Sequence, residues 1–114
     1  MAKGDPILQG TLDLLVLKTL DALGPLHGFG IARRLEQVSD DAISLNPGTI
    51  YASVVRLQQG RWISATWGTS ENNRRARYYA ITTAGRKRLA AATEQWGRVS
   101  GLIGRVLDLP GGTK

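Results

Sequence analysis

The chain has 114 residues, which suits one domain, and 42% of them are hydrophobic, which is typical of a globular protein. It has no cysteine and one histidine, His27, which excludes disulfides, thiolate metal sites and histidine-based triads. The N-terminus lacks a basic region followed by an apolar run, and the most apolar stretch, 12–23, is too short and too charged to span a membrane. We therefore expect a cytoplasmic protein.

The net charge of +6 is unevenly distributed along the chain. Residues 1–45 carry four basic and six acidic side chains, whereas residues 46–107 carry ten basic and two acidic ones. A basic half beside a mildly acidic half indicates a surface that binds polyanions. Charge alone leaves three alternatives open, namely nucleic acid, an anionic membrane and no polyanion at all.

The first predicted helix begins after an N-terminal arm, with Thr11 as its cap, and runs to Leu23. Its leucines and valine cover nearly the whole circumference, so the helix has to be buried on all sides, and one small domain cannot easily do that. Gly24-Pro25 ends the helix. His27, at the entry to the next helix, is expected to be a structural turn residue rather than a functional one.

The second predicted helix runs from Gly28 to Ser39, and three apolar residues at helical spacing form its buried face: Ile31, Leu35 and Val38. A polar turn and a very short extended segment at 42–45 follow. A third helix begins at Pro47, with Asn46 as its cap, and runs to about Gln59, with Gly60 at its stop. Its predicted buried stripe consists of Ile50, Val54 and Leu57.

The next segment predicts a β-hairpin, because residues 62–67 and 77–81 have strand character and a polar nine-residue loop, 68–76, separates them. Thr82 or Thr83 then caps a last helix that runs to about Leu107, and residues 110–114 form a frayed tail. Apolar residues along this helix follow a heptad spacing: Leu89, Ala92, Trp96, Val99, Ile103 and Val106.

Three short helices and a hairpin are the winged helix-turn-helix arrangement, in which the third helix lies in the major groove of DNA. The fold class is therefore mainly α with a small hairpin, and we predict domains at 1–81 and 82–109. The predicted DNA contacts lie on the third helix and at the hairpin tip, where three arginines in four positions favour phosphate binding. They are Asn46, Pro47, Gly48, Thr49, Tyr51, Ser53, Arg56, Asn73, Arg74, Arg75 and Arg77.

The heptad residues either pack on their own domain or pair two chains. We expect a homodimer, because neither the long helix nor the apolar first helix has an adequate partner within the chain. The predicted interface comprises Leu12, Leu15, Leu89, Ala92, Trp96, Val99, Ile103 and Val106. Two copies of Trp96 facing each other leave a slot for a flat apolar effector, while ordinary packing of this residue is at least as reasonable.

Several spaced segments resemble the PadR family of bacterial regulators over about residues 7–107. These are Leu8-Gln9-Gly10-Thr11-Leu12, the element from Gly24 to Ile31, Gly48-Thr49-Ile50-Tyr51 followed by Arg56-Leu57, and Tyr79-Ala80-Ile81-Thr82 with Gly85. The resemblance implies a dimeric winged helix repressor of the smaller subgroup, with Tyr51 near DNA. Some members of that family hold planar drugs between paired tryptophans at the dimer centre, and the resemblance implies a similar place for Trp96. Ala52 departs from the proline that many members have after the tyrosine.

We expect a sequence-specific repressor that binds a palindromic operator as a homodimer, with a small aromatic effector as a further partner. The alternative is a protein-interaction module in which the winged domain is a scaffold. No catalytic residue, cofactor or metal is expected, because the chain lacks cysteine, a histidine pair and a glycine-rich phosphate loop after a strand. An enzyme is therefore the least supported class.

Overall fold

The computed structural model describes residues 9–41 and 45–111. Its elements are α1 (Gln9–Leu23), α2 (Gly28–Val38), α3 (Pro47–Gln59), β1 (Ile63–Thr69), β2 (Arg75–Ile81) and α4 (Thr83–Leu107). The predicted order of three short helices, a hairpin and a long helix is confirmed. Within the described ranges, no helix is both long and apolar enough to cross a membrane.

Three of the helices begin at side-chain caps within their own sequence. The Gly30 amide donates to His27 Nδ1 at 3.0 Å, the Thr49 amide to Asn46 Oδ1 at 2.8 Å, and the Gly85 amide to Thr82 Oγ1 at 3.0 Å. These bonds satisfy amide groups that the first turn of a helix leaves unpaired. The predicted caps Asn46 and Thr82 and the structural role of His27 are confirmed.

Thr11 does not cap α1, because the helix already begins at Gln9 and Thr11 lies within its first turn. The predicted end of α3 at Gln59 with Gly60 as its C-cap is confirmed, although the left-handed residue that follows is a different one. Gly60 has an ordinary helical φ of −81°, and Arg61 instead takes the left-handed conformation with a φ of 62°. The amides of Arg61 and Trp62 close the helix on carbonyls of its last turn. Gly60 leaves room for the indole of Trp62, since a Cβ there would lie 2.4 Å from that ring.

Strands β1 and β2 pair antiparallel, from Ile63 opposite Ile81 to Thr69 opposite Arg75. The strands extend further toward the tip than predicted, so the connecting loop contains the five residues 70–74 rather than nine. Leu26 forms one isolated β-bridge at the outer edge of β2, where it exchanges two backbone hydrogen bonds with Tyr79 at 2.8 and 3.1 Å. The hairpin is therefore joined to the entry of α2.

The core forms where α1 packs against the other elements. Its buried hydrophobic residues are Leu12, Val16, Leu17, Leu20, Ile31, Leu35, Leu45, Ile50, Val54, Leu57, Ile63, Tyr79 and Leu89. The predicted stripe of α3 is confirmed. Val38 was predicted to be buried but is exposed, because it is the last residue of α2.

The predicted extended segment at 42–45 lies outside the described residues, except for Leu45, which is buried. The start of the N-terminal arm and residues 112–114 also lie outside them.

Two residues of the predicted dimer interface belong instead to this core. Leu12 and Leu89 are 3% and 7% exposed in the single chain, so their side chains are already covered and their assignment to an interface is wrong. Leu15 is partly buried against the core, and Ala92 is half-buried. Beyond Ala92, the apolar positions of α4 leave the core: Trp96, Val99, Ile103 and Val106 are 40–54% exposed.

The exposed half of α4 gives the molecule an elongated shape. The helix has 25 residues, which corresponds to about 37 Å at 1.5 Å per residue. The radius of gyration is 16.7 Å, compared with about 13 Å for a compact chain of this length. The described part of the chain therefore contains one packed core and an apolar helix face that extends from it.

The start of α4 packs closely on the segment that precedes β1. The Thr82 hydroxyl donates to the Arg61 carbonyl at 2.8 Å, and the Thr82 amide donates to the Trp62 carbonyl at 3.0 Å. At Gly85, an added Cβ would lie only 2.0 Å from that same Trp62 carbonyl oxygen. Because the obstacle is backbone, a methyl group at this position has to displace the helix.

We expect Gly85→Ala to lower the free energy of unfolding by about 1–3 kcal/mol, the usual cost of overpacking a core. Gly97→Ala on the same helix is the matched control, because nothing lies within 4 Å of its Cβ position. Better helix propensity should make this control neutral or more stable by about 0.5–1 kcal/mol. Urea unfolding of both variants at one protein concentration measures the difference, and equal stability of the two would contradict the close approach.

Candidate nucleic-acid interface

The first turn of α3 presents exposed polar groups on a fixed backbone. Asn46 Oδ1 accepts from both the amide of Thr49, at 2.8 Å, and its hydroxyl, at 3.1 Å, so the two side chains hold each other. Asn46, Pro47 and Gly48 are exposed, and Thr49 is half-buried. Amide groups at a helix start carry partial positive charge and accept anionic ligands such as phosphate. The predicted group Asn46, Pro47, Gly48 and Thr49 is therefore brought together at one surface.

Tyr51 lies one turn further along α3 and is 65% exposed. Ala52 beside it is exposed as well and is small, so this face carries one long side chain above a short one. A phenol both donates and accepts hydrogen bonds and offers an apolar ring. The helix can therefore approach another surface closely, with Tyr51 as its most prominent side chain.

Two other predicted contacts on α3 point into the protein. Ser53 is fully buried, and its hydroxyl donates to Asp13 Oδ1 at 2.6 Å. Arg56 donates through Nη2 to Asp13 Oδ1 at 2.7 Å and through Nε to Asp13 Oδ2 at 3.1 Å. The prediction that Ser53 and Arg56 offer their polar groups outward is wrong, because both are engaged by a carboxylate on α1.

Asp13 thus joins α1 to α3 through three hydrogen bonds. The side chains of Arg56 and Asp13 are 29% and 21% exposed, so the pair is shielded from much of the solvent. The hydrogen bond to Asp13 raises the pKa of Arg56 above its ordinary value, although burial opposes this shift. Sequence reasoning missed Asp13. The available signal was a carboxylate inside an apolar helix, which needs a partner when that helix is buried.

The tip of the hairpin carries the predicted arginines. A tight turn holds the loop: the Ser70 amide donates to the Arg74 carbonyl at 2.7 Å, and Asn73 takes a left-handed φ of 60°. Arg74, Arg75 and Arg77 are exposed. Within residues 9–41 and 45–111, none of the three forms an ion pair with a carboxylate. Their charge is therefore available to an external anion.

Arg75 and Arg77 lie against an aromatic ring that was not predicted to belong to the site. The guanidinium carbons of Arg75 and Arg77 are 4.5 Å and 5.6 Å from the ring centroid of Trp67, within the range of cation–π interactions. Trp67 is directly opposite Arg77 in the strand register, and Arg75 is its diagonal neighbour. The signal that identifies Trp67 is this pairing, which follows once the hairpin register is known.

The hairpin is also held in place relative to α2. The ring of Tyr78 lies edge-on to His27, with 5.4 Å between the ring centroids, and His27 is the cap of α2. On the same strand, Tyr79 is buried in the core and bonded to Leu26 through its backbone. The arginines at the tip therefore project from a strand whose base is fixed to the helical core.

Two of the three basic residues at the start of α4, Arg86, Lys87 and Arg88, contact other side chains of the chain. Arg86 lies 3.5 Å from a carboxylate oxygen of Asp21, and Arg88 stacks on Trp62 with its guanidinium 3.8 Å from the ring centroid. These contacts join α4 to α1 and to the segment before β1. The positive charge of Arg86 therefore has a carboxylate partner within the chain.

We expect Asp13→Asn to lower the free energy of unfolding by about 1–3 kcal/mol, because it weakens the bonds to Arg56 and removes the charge that the guanidinium faces. The matched control is Glu94→Gln, which weakens the exposed pair between Glu94 and Arg98, whose side chains are 76% and 66% exposed. That pair should contribute about 0.5 kcal/mol or less. Urea unfolding compares the two, and a loss no greater at Asp13 than at Glu94 would refute a stabilising role for the link.

The comparisons with known proteins agree with this architecture. The family model of the PadR-like transcriptional regulators matches residues 16–91. Similar solved structures include a transcriptional regulator from Clostridium thermocellum, with 26% identity, 85% of this chain and 90% of that chain covered, and a TM-score of 0.77. A PadR family regulator from Eggerthella lenta has 25% identity, coverage of 90% and 86%, and a TM-score of 0.75. A PadR-like regulator from Bacillus cereus shares the fold, with 24% identity, coverage of 93% and 100%, and a TM-score of 0.78.

Two relatives were found by sequence. An uncharacterized protein from Lysinibacillus sphaericus is 25% identical over 103 residues, which cover 90% of this chain and 93% of that protein. An uncharacterized 37.1 kDa protein in a transposon of Streptomyces fradiae is 36% identical over 90 residues, which cover 79% of this chain but 24% of that protein. The chain therefore spans the first relative and only about a quarter of the second. Because the family model covers most of the chain, this protein belongs to the PadR-like family of transcriptional regulators.

Proposed function

We propose that this family member is a sequence-specific repressor that binds a palindromic operator as a homodimer. The observation that carries the proposal is the combination of an exposed α3 start with three exposed arginines on the adjoining hairpin, none of them in an ion pair within the described residues. A helix start and a cationic hairpin tip are the two parts that a winged helix protein needs to contact bases and phosphates together.

In this proposal, α3 enters the major groove with its first turn. The Gly48 amide and the Asn46–Thr49 pair meet the sugar-phosphate backbone, since Pro47 has no amide proton and the Thr49 amide is bonded to Asn46, and Tyr51 reaches the base edges. Ser53 and Arg56 are left out, because Asp13 occupies their polar groups. Their part is to hold the recognition helix in position.

The hairpin contributes charge in this proposal. Arg74, Arg75 and Arg77 neutralise phosphates, while Asn73 shapes the loop through its left-handed φ. If each protomer neutralises about three to four phosphates, the logarithm of affinity falls with the logarithm of salt concentration with a slope of about −5 to −7 for a dimer.

The dimer is supported by the exposed apolar face of α4. Four large side chains of the heptad are 40–54% exposed in the single chain: Trp96, Val99, Ile103 and Val106. Such a row is the normal surface of a helix that packs against a second helix. Pairing two chains through α4 gives two recognition helices, which suit half-sites about 34–36 Å apart.

A small planar aromatic effector is part of the same proposal. Trp96 lies on the paired face and is 52% exposed, so two copies at the dimer centre form aromatic walls for a flat ligand. Binding between these walls changes how the α4 helices pair and thereby the distance between the recognition helices. The effector site thus depends on the dimer.

A protein-interaction module remains the second candidate, because the exposed face of α4 also suits a different helical partner. An electrophoretic shift assay with the DNA upstream of the gene distinguishes the two candidates. A regulator shifts this DNA at low salt. A chain that gives no shift under these conditions would support the interaction module instead.

We expect the double substitution of Arg74→Ala with Arg75→Ala to make the salt slope shallower by about 3–4, since a dimer loses four phosphate contacts at about 0.9 each. The control removes two arginines from α4, Arg98→Ala with Arg105→Ala, and should leave the slope unchanged. Fluorescence anisotropy with labelled operator DNA at several salt concentrations measures both slopes. An unchanged slope in the hairpin variant would show that these arginines do not contact phosphate.

We expect Val99→Glu with Ile103→Glu to give a folded monomer, because pairing would bury four carboxylates without partners. The control, Gly97→Glu with Gly101→Glu, adds the same charges on the other side of α4, where the space is open or in ordinary contact. Light scattering should give the mass of one chain, 12.3 kDa, only for the first variant. That variant should also lose binding of a planar aromatic dye. A dimer that persists in it would contradict pairing through this face.

A further inference from the structure

Trp67 is exposed and lies against two arginines, an arrangement that does not contribute to the packing of the core. The hairpin register puts Trp67, Arg75 and Arg77 on the same face as Ile63 and Tyr79, because side chains alternate between the two faces of a strand. Ile63 and Tyr79 are buried in the core, whereas Trp67 is 58% exposed. The face that contacts the helices at the base of the hairpin therefore continues beyond the core as an exposed surface made of one indole and two guanidinium groups.

The composition of this surface indicates its ligand. Guanidinium groups lying along an aromatic ring form a continuous cationic and apolar patch, and the exposed Arg74 adds a third charge at the tip. A protein core would not tolerate these charges without carboxylates. The sugar-phosphate backbone of DNA is complementary to the patch, since anionic phosphates alternate along it with the apolar faces of the deoxyribose rings.

We propose that Trp67 itself contacts DNA, packing its indole on a deoxyribose between phosphates that Arg75 and Arg77 neutralise. This inference rests on the DNA-binding function proposed above and adds an apolar contact to it. The indole is a direct contact here rather than only a support for the arginines. Its contribution to affinity therefore depends little on salt, in contrast to the contribution of the arginines.

The cation–π contacts restrain the arginine side chains of this surface in the absence of DNA. Arginine side chains lose conformational freedom when they bind, and a ring that already restrains Arg75 and Arg77 reduces that cost. The base of the hairpin is restrained in turn by the bonds between Leu26 and Tyr79. The patch is thus presented in one orientation relative to α3.

The test compares Trp67→Ala, Trp67→Phe and Trp67→Lys in anisotropy titrations with the same labelled operator over a range of salt concentrations. Trp67→Ala should lower affinity by about tenfold at every salt concentration with an unchanged slope, since burial of one face of an indole against apolar surface contributes on this scale. Trp67→Phe should recover much of the loss. Trp67→Lys should bind less tightly than the unaltered chain despite its added charge. Urea unfolding of each variant confirms that its fold is retained.

Three results would overturn the inference. Unchanged affinity in Trp67→Ala would show that the indole does not contact DNA. A loss of affinity accompanied by a shallower slope makes Trp67 only a support for the arginines. Tighter binding by Trp67→Lys would show that the patch acts through its charge alone. In each case the unaltered chain still binds DNA and the proposed function stands, whereas absence of binding by the unaltered chain at low salt refutes both.

Discussion

The carboxylate of Asp13 makes the contact on which the geometry of the candidate nucleic-acid interface depends. Apolar packing of α3 on α1 supplies most of the driving force but has no preferred direction. The paired hydrogen bonds between Asp13 and Arg56, together with the bond from Ser53, are directional and set the rotation of α3 about its axis. Because the apolar stripe and this polar link both face α1, Tyr51 and the first turn of α3 remain on the outside.

The hairpin depends on a comparable attachment. Leu26 extends the sheet by one bridge, and His27 both caps α2 and contacts Tyr78. One short segment therefore positions the start of α2 and the strand that carries the arginines. With α3 tied to α1 and the hairpin tied to α2, the two halves of the candidate interface keep a defined separation, which recognition of a rigid duplex requires.

Basic residues in this chain serve two different purposes, and the charge pattern alone does not separate them. Arg56 and Arg86 each pair with a carboxylate of α1, so they join α3 and α4 to that helix. Arg75 and Arg77 lie on an exposed ring and have no carboxylate partner within the described residues. The excess of positive charge in residues 46–107 thus overstates the cationic surface that is free to bind an anion.

Local signals in the sequence predict the order of the elements, the starts of α3 and α4 and the buried stripe of α3, because caps and helical periodicity act within a few residues of each other. Which polar side chains face outward depends on contacts between distant segments. Ser53 and Arg56 share a helix with Tyr51, and their inward orientation depends on Asp13, about forty positions earlier. The exposure of Trp67 likewise follows from strand register, since contacts between distant segments appear only when the chain has folded.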